Sequence, residues 1–88
     1  MKELEKYYIN KTVIITGHTG FKGSWLSLWL HKLGAKVIGI SKYKLNPKGL
    51  YTSLSKGKIF ESEYFLDIKD LVQLERILVD NDPDYLFH

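Results

Sequence analysis

No cysteine occurs in the 88 residues of this chain, which excludes disulfides and thiolate metal sites and fits a reducing compartment. Long apolar runs are also missing. None approaches the roughly 20 residues that a membrane helix needs, and the charged stretch from Met1 to Lys11 lacks the apolar segment of a secretory signal. The expected location is therefore the cytoplasm, with no membrane partner. Proline occurs twice, at Pro47 and Pro83, each beside other turn residues. Charge of one sign is not in large excess. The net charge of +3 comes from lysines spread along the chain, which describes a solvated surface and not a nucleic-acid site. The three histidines lack the paired spacing of a metal centre, so no metal is expected.

What is present is globular: 44% of the residues are hydrophobic, enough for a core. A chain this short buries only about 60% of its unfolded surface. Thr12-Val13-Ile14-Ile15 is a β-branched run that reads as a strand buried on both faces. From Phe21 to Leu33 the period becomes helical, and Gly34 is a stop signal. Trp25, Trp29 and Leu33 are spaced by four, with Leu26 and Leu30 alongside. This pattern predicts an apolar face carrying both tryptophans into the core, with Ser24, Ser27 and His31 on the solvated side. Lys36 to Ile40 reads as a second strand. Ser41 to Lys58 is polar and lysine-rich and reads as a surface loop, with a helical turn near Leu50 to Leu54. Tyr64 to Leu66 reads as a third strand. Asp67 or Asp70 can then cap a helix marked by Leu71, Leu74 and Leu78, which ends before Pro83. Tyr85 to His88 begins a fourth strand. No internal repeat or low-complexity segment is evident. The order β-α-β, loop, β-α-β predicts an α/β fold, a Rossmann-like doubly wound parallel sheet. Because the sequence stops inside an apolar strand, residues 1–88 read as the N-terminal part of a longer domain.

Between the first strand and the first helix lies Ile15-Thr-Gly-His-Thr-Gly-Phe-Lys-Gly-Ser-Trp25, with Gly17, Gly20 and Gly23 at three-residue intervals. A helix N-terminus there offers free N–H groups and the positive end of its dipole to a phosphate. Gly17 suits the tight turn, Gly20 the close approach of a pyrophosphate, and Gly23 close helix–sheet packing. The alternative is a turn whose glycines serve packing only, which accounts for one or two of them better than for three in phase. A phosphate-loop NTPase requires lysine after the last glycine, whereas here Lys22 precedes Gly23. Ser41, at the end of the second strand, is either a ribose-binding hydroxyl or an ordinary loop residue. Lys42 could receive the 2′-phosphate of NADP. Tyr7 and Lys11 have a Tyr-x-x-x-Lys spacing, but they precede the first strand without a helical pattern and read as a chance match. His18 could line the loop.

The run Thr16-Gly-His-Thr-Gly-Phe-Lys-Gly-Ser-Trp-Leu26 closely resembles the opening of the CDP-glucose 4,6-dehydratases, a branch of the extended short-chain dehydrogenase/reductase superfamily. The resemblance continues through Ser27 to Leu30, Leu33 to Ala35 and Val37 to Ser41, and returns at Asp67-Ile68, Pro83-Asp84 and Phe87-His88. It covers most of this chain and about the first quarter of a family member. It implies NAD as cofactor, without excluding NADP, held by Gly17, Thr19, Gly20, Phe21, Lys22, Gly23 and Ser41. By the same resemblance Asp67 accepts from the adenine amine and Ile68 packs on the ring, while the residue-level alternative for Asp67 is the helix cap. In the family a tyrosine assisted by a lysine removes the proton of the sugar 4-hydroxyl. NAD takes the C4 hydride, water is lost across C5–C6, and return of the hydride to C6 gives a 4-keto-6-deoxy sugar nucleotide. The resemblance implies that these catalytic residues lie beyond His88, so the isolated chain is expected to be inactive. It also implies a nucleotide-sugar substrate and a homo-oligomer. The alternatives are another sugar-nucleotide epimerase or reductase of the superfamily, or a non-catalytic dinucleotide-binding half-domain. A downstream Tyr-x-x-x-Lys on a helix separates the enzyme from the half-domain.

Overall fold

The computed structural model describes residues 2–42 and 59–88. The expected loop from Ser41 to Lys58, beyond Lys42, and its helical turn near Leu50 to Leu54 lie outside them. Among the described residues the elements are α1 (Lys2–Tyr8), β1 (Thr12–Thr16), α2 (Phe21–Lys32), β2 (Lys36–Ser41), β3 (Phe60–Phe65), α3 (Leu71–Asn81) and β4 (Tyr85–Phe87). The four strands form one parallel sheet in the order β3-β2-β1-β4, as the strand–helix alternation predicts.

The β-branched run makes β1 the centre of the sheet. Val13, Ile14 and Ile15 are fully or almost fully buried, because alternate side chains enter the cores on opposite faces. On one face, Val13, Ile15 and Val37 meet Leu30, Leu33 and Ala35, with Leu4, Tyr8 and Leu26 packed against them from α1 and α2. On the other, Ile14, Ile38 and Ile40 meet Ile77, flanked by Leu74 and Leu78 of α3. Gly34 stops α2 as expected, at φ +90°, a conformation that L side chains rarely adopt.

Three sequence expectations are corrected. The N-terminal residues form a helix, α1, whose apolar contacts are confined to Leu4 and Tyr8 at a spacing of one turn. That is too few to stand out among its charges. Strand β3 begins at Phe60 instead of Tyr64. It lies at a sheet edge and carries glutamates, as edge strands do, so its first half does not read as apolar. Its register against β2 shifts at Val37/Ile38.

The third correction concerns the buried side of α2. Ser24 and Ser27 are fully buried with Leu30, while Trp25 and Trp29 are 51% and 44% exposed. Size overrides hydrophobicity here. A Cβ at Gly23 would overlap the Gly17 carbonyl oxygen, so α2 lies against the loop and sheet on a stripe of small residues. Ser24 Oγ donates to the His18 carbonyl at 2.9 Å and Ser27 Oγ to the Gly23 carbonyl at 2.7 Å, which satisfies both buried hydroxyls. The larger apolar side chains are displaced towards solvent.

Candidate functional site: two clefts at the ends of the strands

The chain runs from β1 outward through β2 to β3, then returns to the other side of β1 for β4. The direction of winding therefore reverses between β1 and β4. Open α/β sheets bind ligands at such a switch point, outside the carboxyl ends of the strands. The segment Gly17 to Gly20 lies there, directly after β1.

Its backbone is held internally. Gly17 N donates to Ile40 O at 2.7 Å and Gly20 N to Gly17 O at 3.1 Å. Gly17 has φ +74° and open space where a Cβ would be, and a Cβ at Gly20 would touch Gly17 O at 3.4 Å. Gly20 is the N-cap of α2 and supplies no side-chain acceptor, and the first turn contains no acidic residue. The N–H groups at this helix start therefore face a position suited to an anion.

Two clefts flank the end of β1. The first, about 230 Å³, is lined by Ile15, Thr16, Lys22, Gly23, Leu26, Phe87 and His88. The second, about 320 Å³, is lined by Thr16, Gly17, Ile40, Ser41, Lys42, Asp67, Ile68 and His88. Gly17, Lys22, Gly23, Ser41, Asp67 and Ile68 are thus brought to one end of the sheet. Thr19 lies under the loop, buried, with its hydroxyl 2.8 Å from that of Ser41. Phe21 is 73% exposed and packs edge-on against Trp25.

Of the two aspartates that could cap the next helix, one does. Asp70 is the N-cap of α3, accepting from Gln73 N at 3.2 Å. Asp67 is left on the rim of the second cleft. It accepts from Lys69 N at 2.9 Å and lies 3.5 Å from Lys42 Nζ. The Lys69 N–H, more than the Lys42 charge, holds its carboxyl below the ordinary aspartate value.

Tyr7 lies on α1, and Lys11 precedes the N-terminal end of β1. Both are at the opposite end of the sheet from the glycine loop, as expected of a chance match.

His18 is not at the cleft surface. It is fully buried, and its Nε2–H donates to Glu63 Oε2 at 3.0 Å. The ring lies over Gly39, where a Cβ would overlap it, and packs against Phe60 and Phe65 at centroid distances of 5.0 and 5.6 Å. A glycine inside an apolar strand signals close approach of another group, and Gly39 carried that signal. Glu63 carried none. Among the described residues no cluster of acidic, histidine or cysteine side chains could hold a metal, and no helix is long and apolar enough to cross a membrane.

Comparison with known proteins agrees with this fold. Residues 13–88 match the NAD dependent epimerase/dehydratase family, and the chain belongs to that family. It is 37% identical over 84 residues to the CDP-glucose 4,6-dehydratase of Salmonella typhimurium, covering 96% of this chain and 23% of the relative. An epimerase structure from Methanothermobacter thermautotrophicus superposes with a TM-score of 0.69 at 29% identity, over 99% of this chain and 24% of that one. The chain thus spans about a quarter of the length of the relatives it matches. The family implies a nicotinamide dinucleotide as cofactor. The residues fit one: a glycine loop open at Gly17, an uncapped helix start and a carboxylate-rimmed cleft lie together.

Proposed function

We propose that this chain is the dinucleotide-binding portion of a cytoplasmic sugar-nucleotide 4,6-dehydratase, with NAD as cofactor and CDP-glucose as the substrate of the whole enzyme. The observation that carries the reading is the placement of the glycine loop at the switch point, between two clefts. In this reading Gly17, Thr19, Gly20, Phe21, Lys22 and Gly23 form the pyrophosphate site, which the dipole of α2 favours. Ser41 binds ribose hydroxyls. Asp67 accepts from the adenine amine and Ile68 covers the ring. When bound, the nicotinamide supplies a hydride acceptor that is regenerated within one turnover. One ion pair supports NAD over NADP. Lys42, the cation that would receive a 2′-phosphate, is paired instead with the Asp67 carboxylate at 3.5 Å. The substrate follows the Salmonella relative, whose name specifies CDP-glucose.

Calorimetry with NAD and NADP tests the cofactor, with Gly20→Val as the site variant and circular dichroism as the folding control. NAD binds more tightly than NADP, and Gly20→Val loses affinity while folded. Unchanged affinity in the folded variant overturns the site, and a preference for NADP overturns the choice of dinucleotide. For the whole enzyme, release of a 4-keto-6-deoxy product from CDP-glucose supports the dehydratase reading. Turnover of another sugar nucleotide without loss of water replaces it with an epimerase or reductase.

A further inference from the structure

The arc from Gly17 to Gly20 is built on glycines, yet a phosphate site gains affinity from being fixed before its ligand arrives. Its two non-glycine side chains are both tied to the β2–β3 side of the sheet. Thr19 meets Ser41 at the end of β2 at 2.8 Å. His18 crosses β2 and meets Glu63 on β3 at 3.0 Å. The register shift at Val37/Ile38 pairs Gly39 with Glu63, which brings the carboxylate beside the one β2 residue that lets the ring pass. The backbone of His18 is held at its other end by Ser24, through the carbonyl.

We propose that Glu63 is a positioning residue for dinucleotide binding. Through His18 it fixes the glycine arc against the sheet, so that β3, an edge strand outside the cleft, sets the affinity of the pyrophosphate site. This rests on the dinucleotide reading above. Glu63 touches no part of the ligand. Its effect is confined to ligands that carry a pyrophosphate, because the adenosine half is held by Ser41, Asp67 and Ile68.

That selectivity is the test. Binding of NAD, ADP and adenosine to the protein is measured by calorimetry for wild type, Glu63→Met and Glu63→Gln, with thermal unfolding as the control. Glu63→Met keeps the length of the side chain but removes the acceptor. It weakens NAD and ADP roughly tenfold and leaves adenosine within about twofold. Glu63→Gln, which keeps an oxygen for the imidazole N–H, recovers most of the loss. Gly39→Ala displaces the ring without altering Glu63 and gives the same selective loss, which keeps the test available if Glu63→Met does not fold. A uniform weakening of all three ligands, or none, overturns the positioning role alone. A wild-type protein that binds neither NAD nor ADP overturns the dinucleotide reading and this inference with it.

Discussion

At the scale of single residues, the three loop glycines do different work, and substitution separates them. A Cβ at Gly20 makes an ordinary contact of 3.4 Å with Gly17 O, whereas at Gly23 it overlaps that oxygen. Gly23→Ala is therefore an overpacking change at a backbone contact, expected to cost about 2 kcal/mol and to lower the melting temperature by roughly 10 °C in a chain of this size. Gly20→Ala is expected to melt close to wild type. Equal melting temperatures for the two variants would show that α2 does not need its close approach at Gly23. Asp67 gives a second residue-scale expectation. Its pKa is lowered first by the Lys69 N–H and less by the Lys42 charge. An NMR titration should place its midpoint below that of a free aspartate, and Lys42→Ala should raise it only part of the way back. A group depressed in the folded state stabilises above its unfolded pKa of about 4. That contribution is lost as pH falls through the lower folded value, so any loss due to Asp67 falls on the acid side of pH 4. A midpoint at or above the ordinary value would remove the Lys69 hydrogen bond as the dominant cause.

At the scale of elements, the positions of β1, α2 and β2 were legible because their apolar runs and the stops around them are local signals. The buried face of α2 was not. Hydrophobic periodicity assigns the core to the largest apolar side chains, and here the loop contact admits only small ones. Ser24 and Ser27 fit where Trp25 and Trp29 do not. The glycine loop could be read as a phosphate site because it lies within one β-α junction. The His18–Glu63 pair spans 45 residues of sequence and depends on a register shift, so no local pattern announces it. The helix can be tested directly. Ser24→Leu is expected to destabilise by about 1–3 kcal/mol through overpacking, and Ser24→Ala by about 1 kcal/mol through loss of its hydrogen bond to the His18 carbonyl. Trp25→Gln and Trp29→Gln, at half-exposed positions, are each expected to cost less than Ser24→Leu in urea unfolding. The reverse order would restore the tryptophan face as the buried one.

At the scale of the whole molecule, the sheet has β3 and β4 at its edges, and several large apolar side chains are exposed. Leu86 on β4 is 51% exposed, and Phe21, Trp25 and Trp29 form an aromatic surface along α2. Unpaired edge N–H and C=O groups offer a template for another strand, and contiguous apolar surface favours association. The 88-residue chain is therefore expected to self-associate, with a sedimentation coefficient that rises with concentration and a melting temperature that rises with it, as mass action requires when only the folded form associates. Two substitutions identify the surface. Leu86→Lys places a charge on the β4 edge and should suppress strand pairing. Trp25→Lys does the same for the α2 face and leaves the edge unchanged. We expect Leu86→Lys to have the larger effect, because main-chain pairing at β4 extends a sheet that is already ordered through β1. A larger effect of Trp25→Lys would move the contact to the aromatic face of α2, and a monomer at all concentrations in the wild-type chain would exclude both surfaces.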